Sequence, residues 1–153
     1  MRTLNHIRNF LNIDDRLATS GMPRPEDFAE LRQAGFDIVI NLALPSSDNA
    51  LPNEGELVSI LGMTYVHIPV NFDAPRPEDF ERFTRMLDAC AGSHVFVHCA
   101  ANLRVSAFVF LHRLRHGTDR GTAEKDLMKI WQPDGVWREF LNARLAELGQ
   151  APM

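Results

Sequence analysis

Along the chain, short apolar runs alternate with stretches whose apolar positions recur every three or four residues. These are the periodicities of buried strands and of amphipathic helices. The runs predict strands near residues 17–19, 37–42, 64–68 and 94–98, and the periodic stretches predict helices near 25–34, 53–61, 77–91, 103–115, 122–131 and 136–148. Val95-Phe96-Val97 is apolar at every position, as in a central strand covered on both faces. After Pro77, the positions of Phe80, Phe83, Met86, Leu87 and Cys90 fall on one helical face, which makes Cys90 a packed core thiol. The next helix carries Val105, Ala107, Phe108, Val109, Phe110, Leu111 and Leu114 on nearly every side, so it must be buried. Strands alternating with helices predict an α/β fold. The expected architecture is a single domain over residues 1–153, a three-layer sandwich around a central, mainly parallel sheet of four or five strands.

The hexapeptide Pro-Arg-Pro-Glu-Asp-Phe occurs twice, at 23–28 and at 75–80. Both copies precede predicted helices, where an early proline and first-turn acids suit the unpaired amides and the macrodipole. Beyond the hexapeptide the two regions differ in length and pattern, so the repeat reads as a shared way of starting a helix.

Composition narrows the function. The chain is 45% hydrophobic and 24% charged, with a net charge of −4 and its basic residues scattered. No basic face is offered to nucleic acid or to an anionic membrane. Two cysteines are too few for a disulfide framework, and the opening residues hold no apolar run long enough for a signal peptide or membrane span. A cytoplasmic location is expected, where a thiol stays reduced.

The chemistry concentrates in Val95-Phe-Val-His98-Cys99-Ala100-Ala101-Asn102-Leu103-Arg104-Val105-Ser106. A buried strand leads through a short turn into a buried helix. Amides from Ala100 to Val105 would converge there with the positive end of the helix dipole, forming a site for phosphate or sulfate. A cysteine at that point has its thiolate favoured. Arg104 adds a planar fork suited to two phosphate oxygens.

These residues resemble the signature loop of the cysteine-dependent protein tyrosine phosphatases, particularly the bacterial dual-specificity-like branch. Ala18-Thr-Ser-Gly21 and Ala34-Gly-Phe-Asp-Ile-Val-Ile-Asn-Leu42 are similar to that branch's opening βαβ unit, and Tyr65-Val-His-Ile-Pro-Val70 to the strand before its general-acid loop. The similarity covers about residues 17–116, and the C-terminal helices at 122–148 carry no motif. The resemblance implies metal-free hydrolysis of phosphate monoesters, without a cofactor, through a cysteinyl-phosphate on Cys99. It implies Arg104 as anion clamp, His98 as loop support and Ser106 as a donor to the thiolate. Asp73, on the proline-rich loop before the second hexapeptide, is the candidate general acid. The substrate would be a phosphorylated small molecule or a phosphoprotein. Trp131-Gln-Pro-Asp134 looks like the family's tryptophan-proline-aspartate acid loop, but it follows the nucleophile, and Asp134 reads as a turn residue.

One departure leaves alternatives open. The family pattern is Cys-x5-Arg-Ser/Thr, whereas here Arg104 follows Cys99 after four residues and Val105 stands in the arginine position. One residue is about 100° around a helix. Asn102 replaces the usual loop glycine, and asparagine tolerates the left-handed region. The Cys-x4-Arg count is that of rhodanese-type sulfurtransferase loops, in which the cysteine carries a persulfide. A pseudophosphatase that binds phosphate without turnover is a third reading. His112 and His116 lie four residues apart on one helix, a spacing two zinc ligands could use. The sequence offers no third ligand, so they read as helix-surface histidines and no metal is expected.

Overall fold

The structure, a computed structural model, describes residues 4–153. Its elements follow the predicted alternation: β1 (Leu11–Asn12), β2 (Leu17–Ser20), α1 (Asp27–Gln33), β3 (Ile38–Asn41), α2 (Glu54–Ile60), β4 (Thr64–His67), α3 (Pro77–Ala89), β5 (Val95–His98), α4 (Leu103–Arg115), α5 (Arg120–Ile130) and α6 (Gly135–Glu147). The five strands form one sheet in the order β1-β2-β5-β3-β4. All neighbours are parallel except β1 with β2. β5 is central, with Phe96 in register with Ala18 on one side and Val39 on the other.

Strand alternation divides the core into two layers. Val95 and Val97 join Ile40 and the apolar residues of α3, α4 and α6 on one face. Phe96 and Val39 join Phe28 and Leu31 of α1 and Val58 of α2 on the other. This is the expected three-layer sandwich, with every β5 side chain buried. The helix that had to be buried is buried: Val105 through Leu111 are nearly inaccessible. Phe108 sits among the rings of Phe80, Phe83, Trp137 and Phe140, with centroids between 5.5 and 5.9 Å away. Cys90 is buried at the end of α3, and burial pushes its thiol pKa up.

The pattern did not reveal β1. Two residues are too few to show a period, and Asp14 sets the pairing by accepting hydrogen bonds from the amides of Arg16 and Leu17 at 2.8 and 2.9 Å. The two hexapeptides share one device. Arg24 meets Asp27 at 3.0 Å, and Arg76 meets Asp79 at 3.2 Å, each aspartate carboxylate nearly buried at the start of its helix.

Candidate active site

The loop between β5 and α4 occupies the C-terminal end of the central strand. In open α/β sheets this is where ligands collect, because amides and the helix dipole converge there. Cys99 follows β5 directly and is 1% exposed. Asn102 turns the chain into α4 in the left-handed region, at φ 69°. Its side chain makes that turn secure, with Nδ2 donating to the Asn9 carbonyl at 2.8 Å and to Thr19 Oγ1 at 3.0 Å. Asn9 reciprocates by donating to the Ala101 carbonyl at 2.9 Å. Leu103, Arg104 and Val105 then form the first turn of α4, whose amides have no intrahelical acceptor.

The opposite wall of the loop is backbone. The Met22 amide donates to the Ala100 carbonyl at 3.1 Å, and Gly21 forms a bridge with Ala101. A β-carbon on Gly21 would lie 2.8 Å from the Ala100 oxygen, so the close approach requires glycine.

A cleft of about 490 Å³ opens over Ala100 and Ala101. It is lined by Arg104, by Asn71, Phe72 and Asp73 of the loop before α3, by Leu44 and Ser46 to Asn49 of the loop before α2, and by Arg8. Arg104 and Asp73 thus face one space beside the residues that follow Cys99. Arg104 is 6% exposed, its Nη1 donates to the Val70 carbonyl at 2.9 Å, and its guanidinium lies 5.8 Å from the centre of the Phe72 ring. Its Nε is buried with no partner among the described residues. Although Arg104 comes one residue early, the early turn of α4 still presents it to the cleft. Asp73 is exposed, and its amide donates to Asn71 Oδ1 at 2.9 Å.

Beneath the loop, His98 is fully buried. The Cys99 carbonyl can only accept, so Nδ1 is the donor at 3.3 Å. Nε2 meets Glu54 Oε2 at 2.5 Å. Glu54 is itself buried, and Asn41 donates to Glu54 Oε1 at 3.4 Å while its Nδ2 also reaches Tyr65 Oη at 3.1 Å. Burial raises the Tyr65 pKa, and the Glu54 charge adds to the shift against the hydrogen bond from Asn41. Sequence reasoning missed Glu54 because first-turn acids of helices are usually solvated.

The Ser106 hydroxyl, expected to serve the thiolate, donates to the Leu103 carbonyl at 3.1 Å and accepts from Trp131 Nε1 at 3.1 Å. Trp131 is therefore more than part of a misplaced motif. Its ring and that of Trp137 flank Phe72, with centroids 6.0 and 5.9 Å away, and Trp137 Nε1 donates to the Phe72 carbonyl at 2.7 Å. Asp134 takes its expected place in the turn between α5 and α6. Asp48, Asn49 and Arg8 were also missed, since only the fold brings them to the cleft.

Comparison with known proteins identifies the family. Residues 10–137 match the family model described as DSP-PTPase phosphatase fused to NAD+ kinase. A candidate phosphatase (DUF442) from Shewanella putrefaciens CN-32 is 36% identical, with a TM-score of 0.84, over 95% of this chain and 96% of that one. Tk-PTP in its active form is 25% identical, with a TM-score of 0.72, over 92% of this chain and 95% of that one. Among curated proteins, the beta-lactamase hydrolase-like protein of Xylella fastidiosa is 30% identical over 97 residues, 61% of this chain. The match spans only 22% of that longer protein. The chain belongs to the phosphatase family that the matching model describes, among the cysteine-dependent protein tyrosine phosphatases.

Proposed function

We propose that residues 1–153 form one phosphatase domain that hydrolyses phosphate monoesters through a cysteinyl-phosphate on Cys99. The observation that carries this reading is the buried, unpartnered Nε of Arg104 at a cleft shared with Asp73 and floored by the residues after Cys99. A buried donor left unpaired costs free energy that an incoming phosphate oxygen would recover.

In the first step the Cys99 thiolate attacks phosphorus. The S–P bond forms, the bond to the leaving oxygen breaks, and Asp73 gives that oxygen a proton. The loop amides and Arg104 hold the equatorial oxygens, where charge gathers in the transition state. In the second step water attacks phosphorus, Asp73 takes its proton, and the S–P bond breaks to release phosphate and the thiolate. These steps need neither metal nor cofactor. His98, tied to Glu54, keeps the Cys99 carbonyl turned away from the incoming phosphate.

The substrate is a phosphorylated small molecule or a phosphoprotein, and free phosphate or sulfate occupies the loop between turnovers. TpbA of P. aeruginosa, a fold neighbour at 17% identity and a TM-score of 0.67, is described in complex with pTyr, which makes an aryl phosphate a sound first probe. Two free thiols and the lack of any described helix long and apolar enough to cross a membrane fit action in the cytoplasm.

The test is hydrolysis of p-nitrophenyl phosphate from about pH 5 to 8, with chelator present and Cys99→Ser as the blank. Turnover that the substitution abolishes, with phosphate binding retained, supports the mechanism. Absence of turnover above the blank would falsify it. Sulfur transfer from thiosulfate to cyanide, or phosphate binding alone, would then decide between the sulfurtransferase and pseudophosphatase readings.

A further inference from the structure

The C-terminal halves of α3 and α4 bring together three side chains that the phosphate chemistry leaves unused. His112 and His116 lie one turn apart on α4, with ring centroids 4.2 Å apart at 31°. Asp88, from the last turn of α3, places Oδ1 2.7 Å from His116 Nε2. One ligand atom from each of the three lies within 4.8 Å of the others. At about 1.5 Å of rise per residue, the two histidines stand roughly 14 and 20 Å along α4 from its phosphate end. The cluster is separate from the cleft.

Hydrogen bonds hold both imidazole rings of this cluster. The His112 carbonyl only accepts, so His116 Nδ1, 2.9 Å away, carries a proton and Nε2 turns to Asp88. His112 Nδ1 is held by Thr84 Oγ1 at 2.7 Å, which leaves Nε2 as the ring's other nitrogen. Imidazoles that ligate metals are oriented in this way, with the second nitrogen bonded to a carbonyl or another fixed group. Two imidazoles and a carboxylate are a zinc donor set with one position left for water. The nitrogen content also disfavours magnesium and calcium, which prefer oxygen. Asp88 and His116 are 53% and 44% exposed, so an ion reaches them directly from solvent. Tetrahedral zinc separates its ligand atoms by roughly 3.4 Å, between the 2.7 Å of the Asp88–His116 contact and the 4.8 Å that bounds the cluster.

We propose that Asp88, His112 and His116 form a binding site for one divalent transition ion of the zinc type, tying the end of α3 to α4. α3 begins just after the loop carrying Asp73, and α4 begins just after the loop carrying Cys99. The ion joins the two helices at their ends remote from those loops. The competing arrangement is a plain ion pair between a protonated His116 and Asp88, which needs no metal.

The two are separated by calorimetric titration of the chelator-stripped full chain with zinc chloride near neutral pH. A Cys99→Ser background removes the loop thiol as a rival ligand. The site predicts one saturable equivalent, a higher melting temperature with zinc, and binding weakened more than about tenfold by either His116→Ala or Asp88→Asn. His94→Ala, whose imidazole faces Asp37 and is no member of the cluster, serves as the control and leaves binding unchanged. Both informative substitutions fall at exposed positions, so they remain readable even where His112→Ala fails to fold. No saturable binding, or binding that survives either substitution, overturns the proposal.

Discussion

The Trp137 indole donates to the Phe72 carbonyl at 2.7 Å, joining α6 to the loop that carries Asp73. The C-terminal helices, which carry no motif, thereby hold one wall of the cleft.

Trp137→Phe keeps an aromatic ring in the core and removes the donor. A buried carbonyl left without its partner costs about 1–3 kcal/mol. Urea denaturation reads that loss. If the bond also positions Asp73, kcat for p-nitrophenyl phosphate falls while KM changes little. A variant that loses stability at unchanged kcat assigns the bond to folding alone.

Asp73 and Asp48 face the same cleft from opposite loops, so the general acid is decided by comparing them. Asp73→Asn is expected to slow turnover by about 10²- to 10⁴-fold, the usual worth of a positioned acid. Asp48→Asn is expected to act mainly on KM. The reverse pattern would move the role to Asp48.

Glu54→Ala leaves His98 buried without its acceptor. A buried polar group left without its partner costs about 1–3 kcal/mol, measurable as a lower urea midpoint. Glu54→Gln retains an acceptor and is expected to lose less. Equal losses in the two variants would show that packing, not the contact with His98, is what Glu54 contributes.

Asp27 supplies a pH-dependent share of stability. Burial alone would raise its pKa, but the hydrogen bonds and charge of Arg24, with His6 adding to them, hold it below the usual carboxylate range. A carboxyl depressed in the folded state stabilises fully above its unfolded pKa of about 3.9. That share is lost as pH falls through the lower folded value. The stability gap between the protein and Asp27→Asn should therefore be constant near neutrality and close below about pH 4. A gap that persists in strong acid would show that the contribution does not depend on charge.

Much of this was legible in the chain because local chemistry and global fold agree. Val95-Phe96-Val97 is central, and the apolar surround of α4 does mark a buried helix. Asn102 takes the left-handed position that asparagine tolerates. What stayed hidden was set by tertiary neighbours. Glu54 has the sequence signature of a solvated helix-start acid, and only the packing of α2 beneath the loop makes it a partner for His98. The family resemblance implies a role for Ser106 toward the thiolate, but not the contacts of its hydroxyl with the Leu103 carbonyl and with Trp131, a residue 25 positions away. Asp88 contributes to the histidine pair from another helix, which no spacing rule within α4 could reveal.

The central position of β5 has a consequence for how such a protein can diversify. The strand that leads into Cys99 is hydrogen-bonded on both edges and packed on both faces, so its end is among the least deformable points of the fold. The rest of the cleft is built largely from loops 44–53 and 68–76, whose lengths and side chains can change without disturbing a strand. Under the proposed mechanism, reactivity and selectivity are inherited through different parts of the chain, and new substrates can be accommodated by loop replacement while Cys99 stays where it is.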